Sequence, residues 1–394
     1  MHHTTPLVLA LLVVGYAAVS ERVNRSSIAP ALIFLLLGMG LGPFGLGLLE
    51  AGPGTQGYTL LAQLALAVIL FNQAAKLRFD RIRAHGPVTL RLLIIGIPLT
   101  VLLGALTAAV LLPVLPWWEA VCVAAIVAPT EAALIEALLE DRRIPERVRH
   151  ALSVESGFYD GFALAILLTA LALASQHTEN TARADRGDMN WAWFMFSTEF
   201  LSLLAGGAVG LVGGLVVAGS RRRGWMSDTW AQLTTLALAF VCFQLGERIE
   251  ASGFVAAFTG GLAFAFVTGR RTGDAAAEDV PTQVSDAAAQ LLELLVFAMF
   301  GAFAVIDGWL HADWRVVAFA VLALFVVRLT AVLVSLLGTG LPLSNRLFIG
   351  WFGPRGIGTV VLGLLVVNRG EIGNTDSVSV VVVVTVTVSL VLHS

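Results

Sequence analysis

Five ionisable side chains lie well inside long apolar runs of this 394-residue chain. An isolated charge in apolar surroundings is costly unless it is paired, holds an ion or is neutralised by a proton. Each of these side chains therefore needs a partner, an ion or a proton at its position. They are Glu131, Glu155, Asp160, Arg328 and Arg355.

Two of these groups lie in the segment 153–161. At about 100° per helical residue, Ser156 and Asp160 share a face, whereas Glu155 points away from Asp160. One face can then offer a carboxylate and a hydroxyl to an ion. We therefore expect Asp160 to bind the ion and Glu155 to have a structural partner.

Arg328 keeps its proton and needs a counter-charge, so we predict that it pairs with Glu155. This pairing would leave Asp160 and Glu131 as unpaired titratable groups. Burial favours the protonated form of such a carboxyl group, and a bound cation favours the charged form. Proton and cation would then exclude one another at the same oxygen atoms, as proton–cation exchange requires.

Two prolines interrupt apolar runs, one in each half of the chain: Pro129, before Thr130 and Glu131, and Pro354, before Arg355. A proline inside a helix removes a backbone donor and opens the hydrogen-bond ladder. Secondary transporters often build ion sites from broken helices in inverted repeats, where irregular backbone lines a cavity. We therefore predict two crossed broken helices related as inverted repeats.

The composition places these residues in a membrane protein, since 57% of residues are hydrophobic and 13% are charged, against about 25% charged in soluble domains. The run 92–112 carries no charge, and about 20 helical residues span the hydrocarbon core. The chain is predicted to be an all-α polytopic protein of about thirteen spans. They are 5–20, 28–43, 58–76, 88–112, 117–139, 149–174, 193–219, 229–246, 251–268, 284–308, 315–338, 346–367 and 376–393.

Arginines cluster after odd-numbered spans, which the positive-inside rule assigns to the cytoplasm. We therefore expect a plasma or inner membrane protein with its N-terminus outside and its C-terminus cytoplasmic. No connection is long enough for a folded soluble domain, so we expect transport within the membrane rather than enzymatic activity. The clusters comprise Arg78, Arg81, Arg83 and Arg91; Arg142, Arg143, Arg147 and Arg149; Arg221, Arg222 and Arg223; and Arg270 and Arg271.

Other binding chemistry has little support in the sequence. The net charge of −3 gives no argument for a nucleic-acid partner. Cys122 and Cys242 lie in apolar runs without metal-type spacing, so we expect small buried residues. The histidines are peripheral, and we expect neither a catalytic triad, nor a resident metal, nor a cofactor.

Several segments together resemble the NhaP/NHE-type cation:proton antiporters in order and spacing. The resemblance implies a thirteen-span fold with crossed broken helices. It also implies a core domain that includes 88–174 and 315–367, a dimerisation scaffold formed by the other helices, and elevator-type alternating access in a homodimer. The segments are 128–134 (APTEAAL), 154–161 (VESGFYDG), 252–258 (SGFVAAF) and 350–356 (GWFGPRG), with 31–38 and 68–71 resembling early helices.

The same resemblance implies roles for individual residues. Asp160 matches the aspartate that binds proton and cation, and Ser156 and Thr130 match auxiliary ligands of the transported cation. Glu155 with Arg328 matches the buried structural ion pair. Arg355 matches the arginine that follows the family's Gly-Pro pair.

The chain departs from the family pattern at two positions. Glu131 stands where the family usually has aspartate, which extends the carboxylate by one methylene. Tyr159 stands where asparagine usually precedes Asp160, and a neutral residue there goes with electroneutral exchange in this family.

Two other functions remain open from the sequence. A proton-coupled carrier of an organic solute would need a roomier polar pocket, and Tyr159 and Gln290 are the main polar residues counted mid-span. A transport-inactive homologue that acts as a sensor or scaffold is the second alternative, motivated by the two departures.

Overall fold

The computed structural model describes residues 4–24, 28–50, 56–77, 86–131, 143–179, 191–276, 281–370 and 372–393. These residues form helices and loops without any strand, and each of the thirteen predicted spans overlaps a helix. Eight helices are long and apolar enough to cross a membrane. The prediction of an all-α, multi-pass membrane protein is confirmed.

Fourteen apolar helices are used below, and a short helix, Ser20–Asn24, follows the first of them. They are α1 Thr4–Ala17, α2 Pro30–Leu41, α3 Gln56–Ala75, α4 Pro87–Leu111, α5 Trp117–Val127, α6 Glu146–Glu179, α7 Trp191–Arg222, α8 Asp228–Arg248, α9 Gly253–Ala276, α10 Gln283–Leu310, α11 Trp314–Ser335, α12 Leu343–Trp351, α13 Ile357–Arg369 and α14 Thr375–His393.

The chain leaves the helical conformation at both predicted interruptions. Helix α5 ends at Val127, and residues 128–131 are not helical. The predicted span 346–367 divides into α12 and α13, separated by 352–356. Both breaks contain a proline, as the loss of a backbone donor predicts. Residues 132–139 of the predicted span 117–139 lie outside the described residues.

Helix α14 is rich in valine and threonine, a composition typical of strands in water. Its backbone is nevertheless helical over Thr375–His393. A single strand cannot satisfy its backbone hydrogen bonds in lipid, so the helix is the stable conformation.

Three helices contain a single π-helical turn: Leu92–Gly96 in α4, Gly301–Val305 in α10 and Leu322–Val327 in α11. Such turns are frequent at functional sites, since they redirect the side chains that follow. The turn in α11 ends immediately before Arg328, which is 1% exposed.

The helices pack in two groups that meet along α6 and between α10 and α14. Helix α5 packs against α4 and α6, and α14 packs against α11 and α13. In the other group, α3 packs against α9 and α10, and α9 also packs against α7 and α8. Helix α6 contacts α3 and α9 at the boundary. Among the arginines used for orientation, residues 78, 81, 83 and 142 lie outside the described parts of the chain.

Candidate ion site at the crossing of the interruptions

The two interruptions are hydrogen-bonded to each other. The Glu131 backbone nitrogen donates to the Pro354 carbonyl at 2.8 Å. The Arg355 guanidinium donates to the Ala128 carbonyl and, at 2.8 Å, to the Pro129 carbonyl. These carbonyls follow the end of α5, where the helix dipole favours a positive charge. Arg355 is fully buried, so this side chain satisfies backbone acceptors that water does not reach.

Glu131 makes the reciprocal interaction with the other broken helix. Its Oε2 accepts a hydrogen bond from the backbone nitrogen of Ile357, the first residue of α13, at 3.0 Å. A helix N-terminus favours a negative charge. Gly356 leaves room for this carboxylate, because a Cβ there would lie 2.4 Å from Oε2. The expectation of an unpaired Glu131 is therefore corrected: the carboxylate caps α13.

Asp160 lies on α6, beside the beginning of α13. It is 5% exposed, and no cationic side chain in the described ranges forms a salt bridge with it. A Cβ on Gly358 would lie 3.1 Å from Asp160 Oδ1, so α13 approaches the carboxylate closely. Asp160 interacts electrostatically with Glu131 and with the side chain of Gln73. Two neighbouring carboxylates repel when both are charged, which favours binding of a cation or a proton.

The predicted partners Arg328 and Glu155 form a buried, bidentate ion pair. The two Arg328 nitrogens lie 2.5 and 3.0 Å from the two Glu155 oxygens. A Cβ on Gly353 would lie 2.9 Å from Arg328 Nε, so the second interruption passes beside this pair. Removing one member of a buried pair costs about 3–5 kcal/mol, because the other charge is left uncompensated.

The remaining predicted site residues lie around these groups. Tyr159 is fully buried, and its ring centroid lies 5.7 Å from Arg328 Cζ, on the face of α6 that carries Glu155. Ser156 is 1% exposed, and its hydroxyl donates to the Ser153 carbonyl at 3.2 Å. Thr130 is also buried, and its methyl group faces the Gly353 backbone. Ser156 lies one helical turn before Asp160 on α6, and Thr130 directly precedes Glu131; among the described contacts, neither hydroxyl bonds the Asp160 carboxylate.

Sequence reasoning missed two neighbouring polar residues on α3. Gln73 interacts with Asp160, as noted above. Asn72 is buried; it accepts from Ser285 Oγ at 2.7 Å and donates to Asp286 at 3.2 Å. Asp286 also forms an ion pair with Lys76 at 2.9 Å. The sequence does show these residues as two consecutive amides inside an apolar run. Because buried amides need hydrogen-bond partners, that pattern could have marked them as site residues.

Comparison with known proteins agrees with this architecture. The family model for the transmembrane sodium/hydrogen exchanger matches residues 8–393. The chain is 27% identical over 361 residues to a K(+)/H(+) antiporter NhaP of Alkalimonas amylolytica. The aligned region covers 91% of this chain and 59% of that protein. It is 28% identical over 374 residues to a K(+)/H(+) antiporter NhaP2 of Shewanella baltica, with coverage of 92% and 60%. The chain thus spans about three fifths of the length of these relatives.

The fold is also that of a solved structure. The sodium proton antiporter MjNhaP1 of Methanocaldococcus jannaschii superposes with a TM-score of 0.76 at 21% identity, covering 99% of this chain and 98% of that chain. With the family match over nearly the whole chain, the crossed interruptions and the buried ion pair lie on a known scaffold. The chain belongs to the sodium/hydrogen exchanger family.

Proposed function

We propose that this chain exchanges protons for a monovalent cation across a cell membrane by alternating access, with Asp160 holding proton and cation in turn. The observation that carries this proposal is the position of Asp160, which is buried beside Glu131 and the start of α13. Arg328 already forms an ion pair with Glu155, and the Arg355 guanidinium already bonds backbone carbonyls. A charged Asp160 therefore favours a mobile counter-ion.

The cation would be held by Asp160 with oxygen atoms from Ser156, one helical turn away on α6, and from Thr130, the chain neighbour of Glu131. Pro129 frees backbone carbonyls at the end of α5, and such carbonyls suit alkali cations at broken helices. Glu131 supplies a second negative charge next to Asp160. Tyr159 is neutral, so Asp160 is the one carboxylate of α6 that we assign to the cation. A single carboxylate that exchanges one proton for one monovalent cation fits electroneutral exchange.

The two helix groups support a division into a moving core and a scaffold. We assign 88–174 and 315–367 to the core, together with α14, which packs against α11 and α13, and the other helices to a scaffold that dimerises. At their boundary, Gly157 and Gly161 of α6 face Leu77 and Phe258; a Cβ at Gly161 would lie 2.9 Å from the Phe258 ring. Small residues allow helices to approach closely. The arginine-bearing connections would face the cytoplasm, with the N-terminus outside and the C-terminus inside.

The names of the relatives give two candidates for the transported cation. The bacterial relatives are named K(+)/H(+) antiporters, and the structural neighbour is titled a sodium proton antiporter. We propose that this chain likewise takes an alkali cation, and that it is a transporter rather than an enzyme.

The test is proton movement in proteoliposomes that contain a pH-sensitive dye and receive Na⁺, Li⁺, K⁺ or Rb⁺ in turn. We expect dequenching with at least one cation and its loss in Asp160→Asn. Asp228→Asn is the matched control, because Asp228 is exposed and pairs with Arg221 at the surface. Silence of the unsubstituted protein with all four cations would contradict the proposal and favour the sensor or scaffold alternative.

A further inference from the structure

Helix α14 carries a polar stripe at four-residue spacing, formed by Thr385, Ser389 and His393. Residues four apart share one face of a helix. This face runs antiparallel to the broken helix: Gly363 of α13 faces Val382, the Arg355 backbone meets Ser389, and the Trp351 carbonyl faces His393. The three contacts follow one register along both segments, so the stripe lies against the 352–356 interruption.

Ser389 satisfies a backbone group that the interruption has freed. The Arg355 backbone nitrogen lies outside both half-helices and donates to Ser389 Oγ at 2.7 Å. Both residues are fully buried. A buried N–H without an acceptor is costly, so this hydroxyl determines where the Arg355 backbone can lie.

His393 contacts the same interruption from the end of α14. Its Nδ1 lies 3.0 Å from the Ser389 carbonyl oxygen and 3.4 Å from Ser389 Oγ. Its Nε2 lies 3.4 Å from the carbonyl oxygen of Trp351, the last residue of α12. The ring is stacked on Phe325 at 6.3 Å, and Phe325 also contacts the Trp351 ring at 5.1 Å.

Both ring nitrogens of His393 thus face carbonyl oxygens, which only accept hydrogen bonds. A neutral imidazole has one N–H group, and an imidazolium has two. Both contacts are therefore satisfied together only when His393 is protonated, and an imidazole changes its charge near neutral pH. Burial of the ring opposes this protonation, the two carbonyl contacts favour it, and the positive charge of Arg355 opposes it.

We propose that Ser389 and His393 are positioning residues for the ion site. They hold the 352–356 interruption against α14 and thereby keep the Arg355 guanidinium on the Ala128 and Pro129 carbonyls and the following start of α13 next to Asp160. Ser389 acts at every pH, and His393 adds a second hydrogen bond as the pH falls. The inference rests on the proposed cation:proton exchange for its effect on transport, but the positioning itself can be measured without transport.

The direct test is hydrogen–deuterium exchange of peptides that cover 352–356, with the full chain in lipid nanodiscs. We expect Ser389→Ala to speed exchange of the Arg355 amide at least tenfold and Ser389→Thr to restore its protection. Ser379→Ala is the matched control on the same helix, since the Ser379 hydroxyl bonds the Thr375 carbonyl of its own helix at 3.0 Å. Unchanged protection in Ser389→Ala would overturn the proposal, whatever the transport assay shows.

A second variant tests the role of His393, which lies at the helix end and is partly exposed. In proteoliposomes, we expect His393→Gln to raise the cation KM at least threefold at acidic pH and to leave it within twofold of the unsubstituted value at alkaline pH. A purely structural role would change the yield or the maximal rate equally at all pH values. Superimposable pH profiles, or an equal loss across the range, would overturn the role of His393. If the unsubstituted protein transports no cation, the proposed function fails, and the positioning role is then tested by amide exchange alone. Faster exchange of 352–356 in His393→Gln at acidic pH only would support that role, and equal exchange at acidic and alkaline pH would overturn it.

Discussion

Glu131 and Arg355 form reciprocal hydrogen bonds: each side chain bonds backbone groups of the interrupted segment that carries the other residue. The Glu131 carboxylate accepts from the first amide of α13, and the Arg355 guanidinium donates to carbonyls that follow α5. Each half-helix end thus meets the charge that its dipole favours. The crossing thus includes two charged side chains that each bond backbone groups of the opposite segment, and Asp160 lies beside the start of α13.

The first prediction separates the capping role of Glu131 from its charge. Glu131→Gln keeps a side-chain oxygen that can accept from Ile357, so we expect a thermal unfolding temperature within a few degrees of the unsubstituted protein. Removing the negative charge beside Asp160 should weaken cation binding, and we expect the cation KM to rise at least fivefold. Glu131→Asp keeps the charge but is one methylene shorter, and we expect it to lose about 0.5–2 kcal/mol of stability, as for other lost caps. A KM in Glu131→Gln equal to that of the unsubstituted protein would assign Glu131 to structure alone.

The second prediction concerns the ion pair of Glu155 and Arg328. Because both side chains are buried, we expect Glu155→Leu or Arg328→Met alone to cost about 3–5 kcal/mol and to reduce the yield. Replacing both at once, Glu155→Leu with Arg328→Met, leaves no uncompensated charge and should recover most of the loss. The measurement is a double-mutant cycle on thermal unfolding in detergent.

The control for that cycle is the exposed pair of Arg221 and Asp228, 2.9 Å apart. Surface pairs of this kind contribute about 0–1 kcal/mol, so Arg221→Ala should change stability little. Additive effects of the two buried substitutions would show that Glu155 and Arg328 do not depend on each other.

The third prediction uses the close approach of α13 to the ion site. A methyl group in Gly358→Ala would lie 3.1 Å from Asp160 Oδ1, in the space next to the carboxylate. We expect cation exchange to fall at least tenfold while the protein remains folded. Gly207→Ala, on α7, is the control, because a Cβ there meets nothing within 4 Å; it should leave transport unchanged and stabilise the helix by about 0.5–1 kcal/mol. Normal exchange by folded Gly358→Ala would exclude cation binding on this side of Asp160.

The sequence was sufficient to predict what depends on periodicity and local backbone chemistry. The prolines at 129 and 354 predicted both interruptions, and helical spacing placed Glu155 and Asp160 on different faces of α6. The valine-rich α14 was predicted as a helix from the requirements of lipid.

Contacts between distant segments could not be predicted in this way. The partner of the Glu131 carboxylate is a backbone amide at Ile357, and backbone groups carry no signal in the sequence. Asn72 and Gln73 were passed over because one apolar run surrounds them, and their partners lie on α10 and α6. The role of Ser389 likewise depends on a register between α14 and the broken helix that only the fold defines.

The central claim, that Asp160 holds either a proton or a cation, is tested most directly by proton release. Purified protein in weakly buffered detergent solution receives a saturating concentration of the cation that it transports, and the released protons are counted with a pH indicator. We expect about one proton per chain from the unsubstituted protein and from Asp228→Asn, and none from Asp160→Asn, because a carboxylate that binds the cation must give up its proton. Equal proton release from folded Asp160→Asn would contradict the account.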